Sequence, residues 1–368
     1  MQTIYFRTDG NEEIATGHIM RCLSIARACA TLHAEVCFLV SDEKSMAVLE
    51  DRFTSINEFP VQCLYSNYRN PEEELPVLQK LFAGQKQYEN SNAAKADNWL
   101  FVDSYFVTKH YLTEVGKLCK VAYLDDMLAF AYPADLIINY DVTTEPACYG
   151  KAAHSLLGAA YTPLREQFQS VPYEVRPQVQ HILLSTGGTD TLNVAGTLLQ
   201  KIFADCNTDI SQNALKTSPS IGLQACHYHI LTSRLNTHYE QLKQLALDYP
   251  VIHIHENVQD MASLMCQCDL GISAGGTTLY ELCAIGIPSV SFSMADNQLT
   301  ATKTFASNGL IPYAGDVRTA FDQTINSMIS FLGKQRISME ERQKSSRNMR
   351  AFIDGKGSKR IAQALITL

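Results

Sequence analysis

Residues 269–290 read DLGISAGGTTLYELCAIGIPSV. The apolar run from Leu270 to Ala274 is short and stops at glycine, as a buried strand of a parallel sheet does. Gly275 and Gly276 then turn the chain, Thr277 and Thr278 open a helix, and a second strand begins after Pro288. Strand, glycine turn, helix and strand together make the unit from which open α/β sheets are built. Glycines in the turn let backbone N–H groups approach a phosphate, and the helix start behind them favours negative charge. Glu281, on the first turns of that helix, is placed to accept hydrogen bonds from a ribose diol, as an acidic residue does in dinucleotide folds.

The same alternation continues on both sides of this stretch. HILLS, IGLQACHYHIL, VIHIH, DLGIS and PSVSF are strand candidates of the second half, and TIYFR, EVCFLV, WLFVD, VAYLD and DLIIN of the first. STGGTD, residues 185–190, repeats the glycine turn after HILLS. Gly187 and Gly188 there make either a second phosphate contact or a plain strand-to-helix connection, and the plain connection is the simpler reading. TPLREQFQSVPYEVRPQ, from residue 162, carries three prolines and little periodicity, as an interdomain linker does. Residues 67–98 turn polar, with a helix expected after Pro71 and a surface loop in GQKQYENSNAAKADN. The expected organisation is a domain over 1–165, a linker over 166–180, a second domain over 181–315 and a helical tail over 316–368.

Composition narrows the possible partners. A chain of 368 residues, 46% hydrophobic and 18% charged, is long enough for two ordinary cores. Its net charge of -8 argues against nucleic acid as a partner. No uncharged apolar run approaches a bilayer span, so a cytoplasmic location with no membrane span is expected. The 11 cysteines are scattered, mostly within apolar segments, which suits reduced thiols. Cys266 and Cys268 form only a C-x-C, without a second pair at zinc-site spacing. The histidines of HYH (227–229) and HIH (253–255) share one strand face, but nothing nearby completes a metal site by spacing, so no metal is expected. A monomer is compatible with these features.

Near the start, ATGHIMRC (15–22) places Gly17 and His18 in the first turn of a helix that follows the strand TIYFR. Asp9 sits in the strand-end turn, where it either orients the loop or the base or caps the local backbone. Arg21 falls one helical turn after His18, where it either meets a phosphate or a carboxylate or is a solvated or salt-bridged side chain. Asp103, Tyr105, Asp125 and Asp126 end two strands, where carboxylates either orient sugar hydroxyls or cap helices. The intervening DGNEEIATGH holds no G-x-G-x-x-G, which argues against dinucleotide oxidoreduction.

These segments carry a resemblance. ISAGGTTLYELCAIGIPSVSFSMADNQ resembles the nucleotide-binding signature of GT-B glycosyltransferases, especially the N-acetylglucosaminyltransferase that makes lipid II. FRTDGNEEIATGHIMRCLSIA, FVDSYFV, YLDDMLAFAYPADLIIN, LLGAAYTPLREQF and ILLSTGGTD, in that order, resemble the UDP-2,4-diacetamido-2,4,6-trideoxy-β-L-altropyranose hydrolases of pseudaminic acid biosynthesis. The resemblance spans roughly residues 4 to 310. It implies an α/β GT-B fold, two Rossmann-like domains with a cleft between them. It further implies that His18 activates water, that Tyr105 and Asn297 lie near the reacting sugar, that backbone at Val258 meets uracil, and that Glu281 contacts ribose. Gln298, beside Asn297, offers an amide to sugar or phosphate oxygens.

The chemistry expected is metal-independent, inverting hydrolysis of a UDP-sugar to free sugar and UDP, with no cofactor. UDP leaves as a stable anion that the helix start at Gly275 to Thr278 can hold, and a neutral imidazole takes a proton from water on the opposite face. Two other functions fit the same residues: a GT-B glycosyltransferase of surface or spore-coat polysaccharide synthesis, and a nucleotide-sugar binding protein without turnover.

Overall fold

The computed structural model describes residues 2–14, 16–88, 98–149, 154–204 and 222–368. Most of the expected loop after residue 84 lies outside them. The chain divides into two compact units, one formed by Met1–Glu166 with Lys356–Leu368 and the other by Gln167–Gly355.

The first unit is built on a parallel sheet of seven strands: β1 (Thr3–Thr8), β2 (Glu35–Val40), β3 (Val61–Cys63), β4 (Trp99–Asp103), β5 (Lys120–Leu124), β6 (Leu136–Asn139) and β7 (His154–Leu157). Their order is β3-β2-β1-β4-β5-β6-β7, so the chain reverses its direction of travel between β1 and β4. Strand ends flanking such a reversal open a crevice where ligands bind in α/β folds. Thr8 and Asp103 pair there, at the carboxyl ends of β1 and β4.

Helices cover both faces. On one face, α1 (Gly17–Thr31) buries Ile19, Leu23 and Ala26, and the last helix of the chain buries Ile361, Ala362 and Leu365 in the same core. On the other face, Leu78 and Phe82 of α3 (Leu75–Tyr88) pack with Tyr111, Leu112 and Val115 of α4 (Lys109–Val115). On the same face as α1, α2 (Glu43–Glu50) adds Leu49 to that core and is capped by Asp42, which accepts from the Ser45 N–H at 2.7 Å.

The second unit carries a parallel sheet of six strands: β8 (His181–Ser185), β9 (His227–Leu231), β10 (Ile252–His255), β11 (Leu270–Ala274), β12 (Ser289–Ser293) and β13 (Tyr313–Asp316). The order β10-β9-β8-β11-β12-β13 puts its reversal between β8 and β11, the two strands that lead into the glycine turns. Its helices are α5 (Val194–Ala204), α6 (Tyr239–Asp248), α7 (Met261–Cys266), α8 (Thr277–Ile285), α9 (Asp296–Ser307), α10 (Phe321–Ile337) and α11 (Met339–Phe352), followed in the first unit by α12 (Gly357–Thr367).

Several boundaries differ from the sequence expectation. IGLQACHYHIL holds a strand only from His227, because Leu223–Ala225 forms a 3-10 turn behind Gly222, whose φ is 73°. The expected helical tail is three separate things: β13 ends at Asp316, α10 and α11 belong to the second unit, and α12 belongs to the first. The proline-rich stretch is packed, because Arg342 of α11 donates to the carbonyl oxygens of Arg176 (2.8 Å) and Pro177 (2.9 Å). Among the described residues the cysteines are free, and no helix is long and apolar enough to cross a membrane.

Candidate functional site

The reversal point of the first sheet gathers charged side chains on one carboxylate. Asp103, at the end of β4, is fully buried. Its Oδ1 accepts from Nδ1 of His18 at 2.6 Å and from Nη2 of Arg21 at 2.5 Å, while Oδ2 accepts from Nε of Arg21 at 2.6 Å. His18 and Arg21 stand three residues apart on α1, so the helix presents both to the strand end as neighbours on one face. Arg21 also donates from Nη1 to Asp126 (2.8 Å) and to the Tyr140 hydroxyl (2.9 Å). The Tyr105 ring meets the His18 ring edge-on, centroids 4.4 Å apart, and its hydroxyl donates to Asp126 at 3.3 Å.

An ionised carboxylate only accepts, so the bond requires a proton on Nδ1 of His18, and in the neutral ring that leaves the lone pair on Nε2. Burial pushes the Asp103 carboxyl up, but Arg21 and His18 outweigh it and hold the group well below the usual carboxylate range. Asp126 is shifted the opposite way, because burial raises it by more than Arg21 lowers it. Burial and the neighbouring Asp126 raise the Tyr105 phenol as well. One guanidinium therefore separates two carboxylates of different character, one held ionised and one that takes a proton more readily, the pattern by which sites divide acid and base roles.

Arg21, which the sequence left open between a phosphate contact and a salt bridge, is bound to the protein's own carboxylates, with its side chain only 12% exposed. Asp9 is likewise part of the scaffold: its Oδ2 accepts from buried Arg7 at 2.5 Å and its Oδ1 from the Ser41 N–H at 2.7 Å. Gly17 opens α1 and is exposed. Sequence reasoning left Asp103 undecided between a cap and a ligand group and did not single out Tyr140. The signal for Asp103 was its position, the last residue of a central strand beside the sheet's reversal.

In the second unit, Gly275 and Gly276 follow β11, and α8 starts at Thr277 behind Gly276, an N-cap residue with no side chain to cap it. Gly276 and Thr277 are exposed, and Glu281 is half-buried one turn further on. A Cβ at Gly275 would stand 2.7 Å from both Cβ of Gln298 and Cγ2 of Thr302, so the missing side chain lets α9 approach the turn. Gln298 turns its Oε1 back to accept from the Met294 N–H at 2.9 Å, fixing the loop that leads to Asn297, which is exposed on the first turn of α9.

Gly187, with φ 79°, and Gly188 form the turn after β8. Asp190 ends it as a cap, accepting from the N–H groups of Val194 (2.8 Å) and Ala195 (3.0 Å). The Thr186 hydroxyl in the same turn is buried without a hydrogen-bond partner among the described residues. Val258 is half-buried between β10 and α7, in a loop closed by the Asp260 cap on the Ser263 N–H at 3.0 Å.

The histidine pairs interlock with His181 into a ladder. Nδ1 of His181 meets Nε2 of His229 at 3.0 Å, Nδ1 of His229 meets Nε2 of His255 at 3.0 Å, and Nδ1 of His227 meets Nε2 of His253 at 2.9 Å. Among the described residues no group of three or more His, Cys, Asp or Glu side chains is arranged to hold a metal ion.

The arrangement defines a class. The chain has the GT-B fold of two parallel-sheet α/β units: MurG of Acinetobacter baumannii aligns over 100% of both chains with a TM-score of 0.65 at 14% identity. A UDP-GlcNAc 2-epimerase from Neisseria meningitidis, solved bound to UDP-GlcNAc, aligns over 100% of both chains with a TM-score of 0.61 at 11% identity.

Among curated proteins, the chain is similar to the spore coat polysaccharide biosynthesis protein SpsG of Bacillus subtilis (strain 168), 27% identical over 210 residues, 56% of this chain and 57% of that protein. A second relative, the uncharacterized protein MJ1062 of Methanocaldococcus jannaschii, is 24% identical over 302 residues, 77% of this chain and 54% of that protein. The chain thus spans about half the length of the curated relatives it matches. The family described as "Protein of unknown function (DUF354)" matches residues 205–349, less than half of the chain.

Proposed function

We propose that this protein is a UDP-sugar-dependent glycosyltransferase of polysaccharide synthesis, in which His18 is the general base. The observation that carries the proposal is the hydrogen bond from His18 Nδ1 to the buried Asp103 carboxylate. A carboxylate on one ring nitrogen fixes the tautomer and stabilises the imidazolium that forms when the other nitrogen takes a proton. The likeness to a spore coat polysaccharide biosynthesis protein supports an acceptor hydroxyl as the source of that proton.

The second unit would hold the nucleotide. Backbone N–H groups at Gly275 to Thr278 suit a diphosphate, Glu281 suits the ribose diol, Val258 backbone suits uracil, and Asn297 and Gln298 suit the sugar end. Departure of UDP on one face and attack by a deprotonated hydroxyl on the other inverts the anomeric carbon. A base placed this way contributes roughly 10²- to 10⁴-fold in rate. Stabilising a diphosphate leaving group at a helix start needs no metal in this scheme.

Hydrolysis is the second reading, with water in place of the acceptor and a UDP-2,4-diacetamido-2,4,6-trideoxyhexose or close relative as substrate. The order of matching segments from the first strand through residue 298 favours it. The two are told apart by incubating the protein with UDP-sugars, with and without oligosaccharide acceptors, and following UDP and the anomeric configuration of the product by NMR. Release that depends on acceptor supports the transferase, and release into water supports the hydrolase. In either case His18→Ala abolishes most release while UDP affinity stays. Turnover that survives His18→Ala removes the histidine from the reaction.

A further inference from the structure

The short turn that follows β5 combines three properties. First, it is apolar and exposed: Met127 is 55% and Leu128 49% exposed. Second, it is rigid. The preceding Asp125 is fully buried and accepts from the Met127 N–H (2.8 Å), the Leu128 N–H (3.2 Å), the Tyr132 hydroxyl (2.7 Å) and the Tyr149 hydroxyl (2.5 Å). The Tyr132 hydroxyl in turn accepts from the Ala129 N–H at 2.9 Å.

Third, it is strained, because Leu128 adopts φ 51°, a left-handed conformation unfavourable for a bulky side chain. Such strain persists only where the surroundings over-determine it, and such positions cluster at ligand-binding elements. Two large apolar side chains held exposed by a fully satisfied buried carboxylate gain nothing for the fold of the unit.

Their place assigns the use. Asp126, the first residue of the turn, is tied to Arg21 and Tyr105, and Tyr105 lies edge-on to His18, so the turn is continuous with the candidate base. The Asp126 side chain is 28% exposed, leaving it able to meet a ligand. We propose that Asp126, Met127 and Leu128 form a selectivity element for the sugar, in which Asp126 accepts from a ring hydroxyl and Met127 and Leu128 receive an apolar ring substituent such as an acyl methyl. The assignment rests on the reading of His18 as the base.

The test uses binding to the whole protein, so that it stands apart from turnover. Dissociation constants are measured for UDP, UDP-glucose and UDP-N-acetylglucosamine in the parent protein, in Met127→Ala with Leu128→Ala, and in Leu128→Gly. The glycine variant tolerates the left-handed backbone and removes only the side chain. The parent is expected to prefer the acylated sugar over UDP-glucose by about tenfold or more, the range for one or two methyl groups in an apolar site. Both variants should lose that preference while UDP itself binds unchanged.

Equal binding of the two sugars by the parent, or a preference that survives both variants, overturns the proposal. A change in sedimentation on substitution with no change in preference also overturns it, since the turn would then contact a second copy. Failure of the His18 reading is seen separately, as release of UDP that persists in His18→Ala.

Discussion

The Asp103 carboxylate stands 2.6 Å from Nδ1 of His18 and grips Arg21 with both oxygens, so one buried group sets the imidazole and anchors the cation beside it. Asp103→Asn replaces one acceptor oxygen with a donor, so the ring no longer has a fixed tautomer and Arg21 loses half of its bidentate partner. Turnover should fall roughly 10²- to 10⁴-fold with little change in UDP affinity. Removing a buried ionic partner also costs on the order of 3–5 kcal/mol, so a denaturant melt belongs beside the kinetics. Turnover that merely follows the folded fraction would mean that Asp103 serves the fold alone.

Arg21→Lys tests the shared guanidinium. Arg21 reaches Asp103, Asp126 and Tyr140 at once. An ammonium is a point charge and cannot span them with a planar fork. The expected result is a kcat lowered by roughly ten- to a hundredfold, with the acid limb of the pH–rate profile displaced, because an ammonium drawn to Asp103 no longer hydrogen-bonds Asp126 and opposes its upward shift less. The sign follows: with less cation nearby, Asp126 binds its proton up to a higher pH. A profile that keeps its shape while the melting point drops would assign Arg21 to stability only.

Gly275 and Gly276 should separate fold from ligand. Gly275→Ala drives a methyl to 2.7 Å from Gln298 and Thr302, so α9 must move; a loss of roughly 1–3 kcal/mol is expected, with weakened UDP binding as a consequence. A Cβ at Gly276 meets nothing within 4 Å, and its φ of 164° is extended backbone that alanine adopts. Gly276→Ala should therefore leave the melting temperature unchanged and weaken UDP binding, because its methyl occupies the approach to the helix start. UDP binding at parental strength in Gly276→Ala would move the diphosphate away from this turn.

How much of this was legible in the sequence depended on where each element sits in its sheet. Central strands such as WLFVD and DLGIS are buried on both faces and read as continuous apolar runs. The strands without a sequence signal, β3, β7 and β13, are all at sheet edges, where Val61–Cys63, His154–Leu157 and Tyr313–Asp316 are half-buried or exposed and carry no clean alternation. Gly275, Gly276 and the start of α8 were legible because glycine and helix-cap chemistry are local. The partnership of His18 with Asp103 was not, because the residues are 85 positions apart and only the sheet order brings them together. For Asp9 the structural alternative holds: Arg7, two residues away, takes one oxygen, while the Ser41 N–H that takes the other lies 32 positions along and is brought near only by the pairing of β1 with β2.

The polar segment over residues 67–88 should prove structural. Glu74 is fully buried, where it accepts from Nε of Arg7 at 2.7 Å and from the Tyr111 hydroxyl at 2.5 Å, so it pins the segment before α3 to β1 and α4. Burial alone would lower the Arg7 guanidinium, but Glu74 and Asp9 more than offset it and keep the cation charged. Glu74→Ala leaves that cation short of a partner and should destabilise the first unit by about 3–5 kcal/mol. Urea unfolding measures it directly, and a loss below about 1 kcal/mol would show that Asp9 alone suffices for Arg7.

The histidine ladder should make the second unit acid-sensitive. His229 is buried between strands, and burial first, then the neighbouring His255, His253, His181 and His227, lower its pKa from 6.5 to about 4. His181, His253 and His255 are also lowered, with burial the leading cause in each. Near the ladder, Asp269 accepts from the His181 N–H at 2.9 Å, raising His181, while Arg176, paired with Asp269 at 2.7 Å, lowers it. Below about pH 6.5 the unfolded chain takes protons that the folded ladder refuses, so stability is complete above that pH and falls as the pH drops toward 4. For His229 alone the loss amounts to about 2 kcal/mol at pH 5. Urea unfolding at pH 7.5 and pH 5 should show the midpoint falling in the parent protein and falling less in His229→Gln, which has nothing to titrate. An equal fall in both would place the acid sensitivity elsewhere in the molecule.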